Sequence, residues 1–417
     1  MYTLKRIVRS LLPAPALLFY HRALAKLGAL CYGNPSRSLL VIAITGTKGK
    51  TSTTEMTNAV FEAAGYKTAL LNSIRMKVGD TSVPNPAGRS MPGRFFIQRF
   101  LARSLRARCT AAIIEMTSEG ARQHRHRDIE LDALAFLNLA PEHIESHGSL
   151  NAYADAKFEI GKQLERSSKR PRVVVAHADD EQGKRYLALN IEKRIPFSLS
   201  KHTPLHADDS GGYFTFEGTR IAITFPGEFS LKNALVAAEL GHAFGITPET
   251  IAQGLAKLTR IPGRAERVQC GQDFEVVVDY AHTPDSLKAL CDAYASRRTI
   301  CVLGSAGGGR DTWKRPVIGK MAEENADVVI LTNDDPYDED PEKILREIRS
   351  GMSTTPLVLP DRREAIRAAL RAARSGDAVL ITGKGIDPIA GPGGKKVPWN
   401  DVDVAREELE KLVREKL

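Results

Sequence analysis

The sequence predicts an α/β protein with mostly parallel sheets, and three observations lead there. From residue 39 onward, short apolar runs alternate with amphipathic stretches of helical period. The clearest unit, residues 39–64, reads as strand, glycine-bearing loop and helix, the order from which parallel sheets are built. A second series of the same kind starts near Gly263.

Residues 1–38 form an apolar, basic arm. Leu11-Leu12-Pro13 and Ala16-Leu17-Leu18-Phe19-Tyr20 are apolar, but His21, Arg22 and Lys26 interrupt the run. The interruption comes well before the roughly 20 residues that a bilayer span requires. Two readings stay open: a helix packed on the next domain, or a basic helix in which residues 1–30 lie on a membrane surface.

The next domain covers residues 39–262. Residues 39–44 read as a buried strand, 45–50 as a loop, and 51–64 as a helix stopped by Gly65. Residues 109–115 read as the second strand, ending on Glu115, and 133–138 as the third, running into Pro141-Glu142-His143. Ligands sit at strand ends in such folds. Another strand is expected at 173–176, a hairpin turning at Glu217-Gly218 within 211–225, and helices to about Leu258. The stretch Ile261-Pro262-Gly263-Arg264 reads as a boundary. Beyond it, residues 263–417 form a Rossmann-like α/β domain with strands at 274–279, 299–303, 328–332 and 378–382.

Composition narrows the function. A chain of 417 residues, 42% hydrophobic, buries sizeable cores without staples. Cys31, Cys109, Cys270, Cys291 and Cys301 form no CxxC pair, which argues against a zinc ribbon or disulfide scaffold and fits a reducing cytoplasm. The net charge of +9 is spread along the chain without interleaved aromatic platforms. That pattern argues against nucleic acid and for acidic, phosphate-bearing substrates.

The chemistry starts at Gly46-Thr47-Lys48-Gly49-Lys50-Thr51, between a strand and a helix. Backbone N–H groups and a helix N-terminus there surround a polyphosphate, with Lys50 reaching the terminal phosphates and Thr51 the metal. The loop is shorter than usual, because Ile44 stands where a first glycine would be. Residues 39–262 thus read as a central phosphate-loop ATPase domain. Magnesium takes oxygen ligands and keeps several waters. Glu115, at a strand end near the loop, is the candidate ligand, with Thr117-Ser118 beyond it for phosphate or substrate. Taken alone, Glu115 also reads as a cap or surface residue, His143 as a loop histidine and Lys157 as a solvated helix lysine.

Thr45 to Thr51, Glu115-Met116-Thr117-Ser118, Asn138-Leu139-Ala140-Pro141-Glu142-His143-Ile144-Glu145-Ser146-His147-Gly148 and Tyr153-Ala154-Asp155-Ala156-Lys157 resemble, in order and spacing, the Mur ligase family. Val276-Val277-Val278-Asp279-Tyr280-Ala281-His282-Thr283-Pro284-Asp285 resembles the branch that adds the third residue of the peptidoglycan stem. Gly263-Arg264, Gly304, Arg310-Asp311, Lys314-Arg315-Pro316, Asn333-Asp334-Asp335-Pro336 and Gly383-Lys384-Gly385 extend the resemblance over roughly residues 39–410.

The resemblance implies that Gly46, Thr47, Lys48, Gly49, Lys50, Thr51 and Ser52 bind ATP, with Asn233 near the adenine and Arg264, Asp279 and His282 on the ATP side of the C-terminal domain. It implies magnesium held by Thr51, Glu115, His143 and Lys157, the last carbamylated by carbon dioxide so that an anion replaces an ammonium. It makes Lys50, Lys157, His143 and Glu115 the catalytic set. Substrate contacts fall to Thr117, Ser118, Arg125, Asp334, Asp335, Tyr337, Gly383, Lys384 and Asp387. The implied reaction activates a UDP-N-acetylmuramoyl-dipeptide-like carboxylate as an acyl-phosphate, which a free amino acid then attacks. Closure about residues 261–264 would complete the site of a monomeric enzyme.

Three departures qualify this. Family members usually carry an N-terminal domain for the uridine nucleotide, where residues 1–38 stand here, leaving open a lipid-linked acceptor and contact with the inner face of the membrane. Members that add meso-diaminopimelate have arginine at Tyr337, to grip its second carboxylate, and His-Glu at Ile386-Asp387. These two argue against diaminopimelate and leave lysine or another amino acid open. The acidic run Asp334, Asp335, Asp338, Glu339, Asp340 reads as a solvated loop or a site for a basic side chain. A phosphate-loop ATPase that forms no bond is the alternative from another class, and it gives no reason for the Glu115, His143, Lys157 set.

Overall fold

The computed structural model describes residues 14–416 with the exception of Pro86, so residues 1–13 of the expected arm lie outside the described residues. The rest of the arm is helix α1 (Ala14–Cys31). It packs on a later helix, with Gly28 against the Phe95 ring.

The first sheet is built from β1 (Leu40–Thr45), α2 (Lys50–Ala63), β2 (Thr68–Leu71), β3 (Arg75–Val78), β4 (Thr81–Pro84), α3 (Arg94–Arg106), β5 (Ala111–Glu115), α4 (Ser118–Arg122), β6 (Ala133–Phe136), α5 (Ile144–His147), α6 (Leu150–Arg166), β7 (Val173–His177), α7 (Glu181–Leu187) and β8 (Lys193–Phe197). The strand order is β4-β3-β2-β5-β1-β6-β7-β8, parallel except for the antiparallel edge made by β3 and β4. The strand ending at Glu115 is therefore the fifth, not the second. Three strands before it were missed: β2, wholly buried but only four residues long, and β3 and β4, which carry Arg75 and Lys77 and no fully buried residue and so lack the apolar signature of the central strands. Strand β8, also missed, is mostly exposed and charged at an edge.

A three-stranded sheet follows, β9 (His206–Ala207), β10 (Gly212–Phe216) and β11 (Thr219–Ile223), then α8 (Gly227–Ala243) and α9 (Pro248–Lys257). Phe214, Phe216 and Ile221 of this hairpin join Val60, Phe61, Leu235 and Ile251 in one core on one face of the main sheet. The opposite face is covered through Phe100, Ile160, Leu164 and Tyr186. With both faces covered, the central strands must be apolar throughout, as Val41 to Ile44 are, each wholly buried.

The second unit runs β12 (Glu266–Arg267), β13 (Glu275–Asp279), α10 (Pro284–Ala293), β14 (Thr299–Leu303), α11 (Lys314–Asn325), β15 (Val328–Leu331), α12 (Pro341–Arg349), β16 (Leu357–Val358), α13 (Arg362–Ala372), β17 (Ala378–Thr382), the short pair β18 (Ile389–Ala390) and β19 (Lys396–Val397), and α14 (Asp401–Lys416). Its sheet has the order β12-β13-β17-β14-β15-β16, with only β12 antiparallel. Ile261 belongs to the core of the first unit, whereas Gly263 N donates to Glu266 Oε2 (2.7 Å) and Ala265 N to Asp279 Oδ2 (2.7 Å). The chain thus crosses between the sheets within residues 261–265.

Candidate active site

The site begins with the register of β1. Ile44 pairs with Glu115 and Thr45 with Phe136, so the phosphate loop leaves the sheet between the ends of β5 and β6. The loop is held from a distance. Asn138 Oδ1 accepts from Thr47 N (3.2 Å) and Lys48 N (2.9 Å), and the Thr47 hydroxyl lies 3.2 Å from that of Tyr153. Gly49 takes φ +80°, and a Cβ there would stand 2.3 Å from Asn233 Oδ1, so both backbone and space require glycine. Asn233, expected near the adenine, therefore touches the phosphate loop itself, and it also accepts from Thr53 Oγ1 at 3.2 Å.

Both lysines of the catalytic set turn onto the loop. Lys50 Nζ donates to Thr47 O (2.8 Å) and Lys157 Nζ to Gly46 O (2.7 Å). Lys157 is buried on the Tyr153 ring. Burial, reinforced by the Lys50 cation, pushes its pKa well below that of an ordinary lysine despite Glu142 and Glu115 nearby.

Glu115 is equally buried. Its Oε2 accepts from Thr51 Oγ1 (2.9 Å) and Ser73 N (3.2 Å), and its Oε1 from Ser90 Oγ (2.7 Å). No cluster of three His, Cys, Asp or Glu that could hold a metal occurs among the described residues. Magnesium that keeps waters and phosphate oxygens needs no such cluster, and the Thr51 hydroxyl beside the Glu115 carboxylate suits it. His143 is half exposed, with φ +55°; its ring nitrogens lie 3.9 Å from Glu142 and 4.0 Å from Asp311.

The second unit closes over this cluster through His282, singled out above, and through Glu142, Asp311 and Asp285, to which the sequence assigned no role. His282 Nε2 lies 2.7 Å from Glu142 Oε1, while His282 Nδ1 is 2.8 Å from Tyr280 O. Burial alone would raise the Glu142 pKa, but the His282 hydrogen bond and the His143 and Lys50 cations hold it well below the usual carboxylate range. Asp311 accepts from the backbone N–H groups of His143 (2.9 Å) and Ile144 (3.1 Å), and Asp285 pairs with Lys48 at 2.9 Å. The available signal was position alone: Glu142 adjoins His143, and Asp285 closes the run that contains His282.

On the ATP side, Asp279 is half-buried, and its desolvation raises its pKa against the pull of Arg264; the Arg264 guanidinium stacks 4.4 Å from the Tyr280 ring. A cavity of about 20 Å³ between the units is lined by Ser52, Met56, Phe229, Ile261, Arg264 and Asp279.

The substrate candidates fall into two groups. Thr117 caps α4 by accepting from Gly120 N (3.2 Å), Ser118 is buried, and Arg125 donates to Met91 O and Gln123 Oε1. In the second unit Lys384 Nζ lies 2.7 Å from Asp335 and 3.8 Å from the buried Asp334, and Gly383, at φ +98°, leaves room for Asp334. Asp387 N donates to Lys384 O. Tyr337 takes φ +51°, with the Arg310 guanidinium 4.6 Å from its ring. The acidic run is solvated only at Asp338 and Asp340, whereas Asp334, Asp335 and Glu339 turn inward. Asp335 pairs with Lys384, Glu339 with the buried Arg315, Asp338 accepts from Gly393 N, and Asp340 caps α12.

Comparison with known proteins agrees with this architecture. Residues 44–241 match the model of the Mur ligase middle domain, and residues 263–385 that of the Mur ligase glutamate ligase domain. The chain is 33% identical over 411 residues to a UDP-N-acetylmuramoyl-L-alanyl-D-glutamate–2,6-diaminopimelate ligase of Syntrophomonas wolfei, covering 94% of this chain and 82% of the relative. It is 34% identical to a UDP-N-acetylmuramyl-tripeptide synthetase of Roseiflexus, covering 96% and 84%. Among solved structures, a UDP-N-acetylmuramoyl-L-alanyl-D-glutamate–2,6-diaminopimelate ligase superposes with a TM-score of 0.61 at 26% identity, covering 90% of this chain and 79% of that one. The Mycobacterium tuberculosis folylpolyglutamate synthase bound to ADP and AMPPCP shares the fold at a TM-score of 0.70 and 18% identity, covering 86% and 92%. Mur ligases use ATP and magnesium. The chain belongs to the Mur ligase family and is an ATP-dependent acid–amino-acid ligase of peptidoglycan precursor synthesis.

Proposed function

We propose that this ligase joins a free amino acid to the terminal carboxylate of UDP-N-acetylmuramoyl-dipeptide, or of a substrate like it. An ionised carboxylate is a poor electrophile, so ATP must first convert it to an acyl-phosphate; the amine then displaces phosphate, leaving an amide, ADP and phosphate. The observation that carries this reading is the Glu142–His282 contact, which brings the second unit against the loop bearing Lys50. Lys50 and the loop N–H groups neutralise the charge developing on the transferred phosphoryl group. Thr51 and Glu115, with His143 and Lys157 as further ligands, would hold magnesium, whose positive charge polarises the same phosphoryl oxygens. Arg264, Asp279 and His282 bind ATP from the second unit, and residues 261–264 act as the hinge of a two-domain enzyme with an N-terminal arm.

We further propose that Lys157 is carbamylated. A neutral amine is the form that adds carbon dioxide, losing a proton to give an anionic carbamate, and the burial of Lys157 favours that neutral form.

For the amino acid we propose one other than meso-diaminopimelate, although the relatives above are named for it. Support comes from Tyr337, whose phenol brings no cation to a second carboxylate and whose ring occupies a face of Arg310. The test is phosphate release with UDP-N-acetylmuramoyl-dipeptide and a panel of amino acids that includes lysine and meso-diaminopimelate, with product masses measured. Release that needs neither acceptor nor amino acid overturns the reading; best turnover with diaminopimelate overturns the specificity. A lipid-linked acceptor is the second reading, favoured by the exposed apolar residues of α1, and the same assay with such an acceptor decides it. We place the enzyme in the cytoplasm as a monomer, in contact with the inner face of the membrane through residues 1–30.

A further inference from the structure

Helix α1 is a two-faced helix whose outer face is covered by none of the described residues. His21, Ala25, Gly28 and Ala29 turn inward, while Leu18, Phe19, Tyr20, Leu27 and Leu30 are 48%, 75%, 43%, 50% and 58% exposed. At 100° per residue, Phe19, Ala23, Leu27 and Leu30 share one outward stripe, with Arg22 and Lys26 along its edge. Singly exposed leucines are ordinary, but this many on five turns of one helix are not.

The neighbouring helix continues the surface. Phe95 of α3 meets α1 at Gly28 and is itself 38% exposed. Arg99, Arg103 and Arg106 follow Phe95 at helical spacing, and all three are exposed. Neither helix contains an acidic residue, and the first acidic residue of the whole chain is Glu55. Among the described residues no carboxylate lies within ion-pair distance of Arg22, Lys26, Arg99, Arg103 or Arg106; Asp128 acts on Arg22 and Lys26 only from further away. The residues preceding Ala14 have the same character, with Lys5, Arg6 and Arg9 among Leu4, Ile7, Val8, Leu11 and Leu12.

We propose that α1 and α3 together form a docking surface for an anionic lipid leaflet. The apolar stripe of α1 enters the interface, and Arg22, Lys26, Arg99, Arg103 and Arg106 face the lipid phosphates. The inference extends the membrane contact of the proposed function from residues 1–30 to a second helix, and gives that contact a charge preference. Two other occupants fit less well. A second copy of the chain would set two basic, unpaired faces against each other. A nucleic acid would satisfy the arginines but leave Phe19, Leu27 and Leu30 in water.

The experiment is co-sedimentation of the full chain with vesicles of pure phosphatidylcholine and of phosphatidylcholine containing phosphatidylglycerol, at low and high salt. Binding is expected on the anionic vesicles and weakens with salt. Arg99→Glu with Arg103→Glu should lower the partition coefficient at least about tenfold, and Phe19→Ser with Leu30→Ser should do the same at either salt concentration. Soluble-substrate ligase activity, measured in parallel, is unchanged in both variants, which shows that they fold and separates failure of docking from failure of the ligase reading. Equal binding to both vesicle types, no binding by the unaltered chain, or full binding by the arginine variant overturns the proposal. So does a dimer in sedimentation that Phe19→Ser with Leu30→Ser abolishes, or capture of duplex nucleic acid in preference to vesicles.

Discussion

The His282 imidazole and the Glu142 carboxylate, 2.7 Å apart, tie the C-terminal domain to the segment that carries His143. Glu142 is buried and His282 one-third exposed, so the contact forms only when the two units are together. Removing either partner should weaken closure over ATP. Glu142→Gln and His282→Ala are each expected to raise KM for ATP about tenfold, equivalent to about 1.4 kcal/mol. The double variant should be no worse than the poorer single, as expected when two groups act as one unit. Additive losses in steady-state kinetics would mean that the two residues act separately.

Lys157 is the most buried lysine beside the loop, and its replacement tests its chemistry apart from its packing. Lys157→Ala is expected to lower kcat at least about a hundredfold, the scale for removing a group that acts on the transition state. Acetate or another short carboxylate should restore part of kcat, because it can occupy the vacated space as an anion. Lys157→Arg, which supplies a cation and cannot be carbamylated, should stay inactive with or without acetate. Full activity in plain Lys157→Ala would end the carbamate reading.

Tyr337 sits at a positive φ beneath Arg310. Tyr337→Arg supplies a second guanidinium where Tyr337 has a phenol, and a bidentate carboxylate contact becomes possible. The ratio of kcat/KM for meso-diaminopimelate to that for lysine should rise about tenfold or more, a gain of about 1.4 kcal/mol in discrimination. An unchanged ratio would show that residue 337 does not read the side chain.

Glu239 on α8 gives a pH dependence unrelated to catalysis. Burial, with Glu217 adding to it, raises its pKa to about 7. His202 lies 3.7 Å away but does not offset this, because burial lowers the imidazole pKa as well. The unfolded carboxyl titrates near 4.3, so between about 4.3 and about 7 the native state holds the extra proton and stability falls as pH rises. Glu239→Gln should therefore leave stability at pH 4 unchanged and raise it at pH 8 by about 2 kcal/mol, measured by urea unfolding.

What could be read in advance follows the physics of burial. Strands such as Val276 to Asp279 and Ala378 to Thr382 are covered on both faces and announce themselves as apolar runs. Strands β3 and β4 lie at an edge, where polar side chains are tolerated, and were not visible, and the buried β2 was missed because its four residues are too short an apolar run to stand out. The same division holds at the site. Glycine and lysine at the end of a strand mark the phosphate loop because backbone geometry demands the one and phosphate charge the other. Glu142, Asp311 and Asp285 become meaningful only across the cleft, through partners in the other unit between 140 and 237 positions away. Asp334 and Asp335 looked like surface charge because their partner, Lys384, is remote in sequence.

Asn138, which clamps the phosphate loop from just beyond β6, also bears on how the protein is made. The loop is complete in sequence by residue 51, yet its shape depends on a side chain about 90 residues further on and on Tyr153 beyond it. Such long-range contacts form late, after the entropy of closing the intervening chain has been overcome. An emerging chain that already carries every residue of the loop is therefore not expected to hold ATP, and nucleotide affinity during refolding should appear only once β6 has docked against β1.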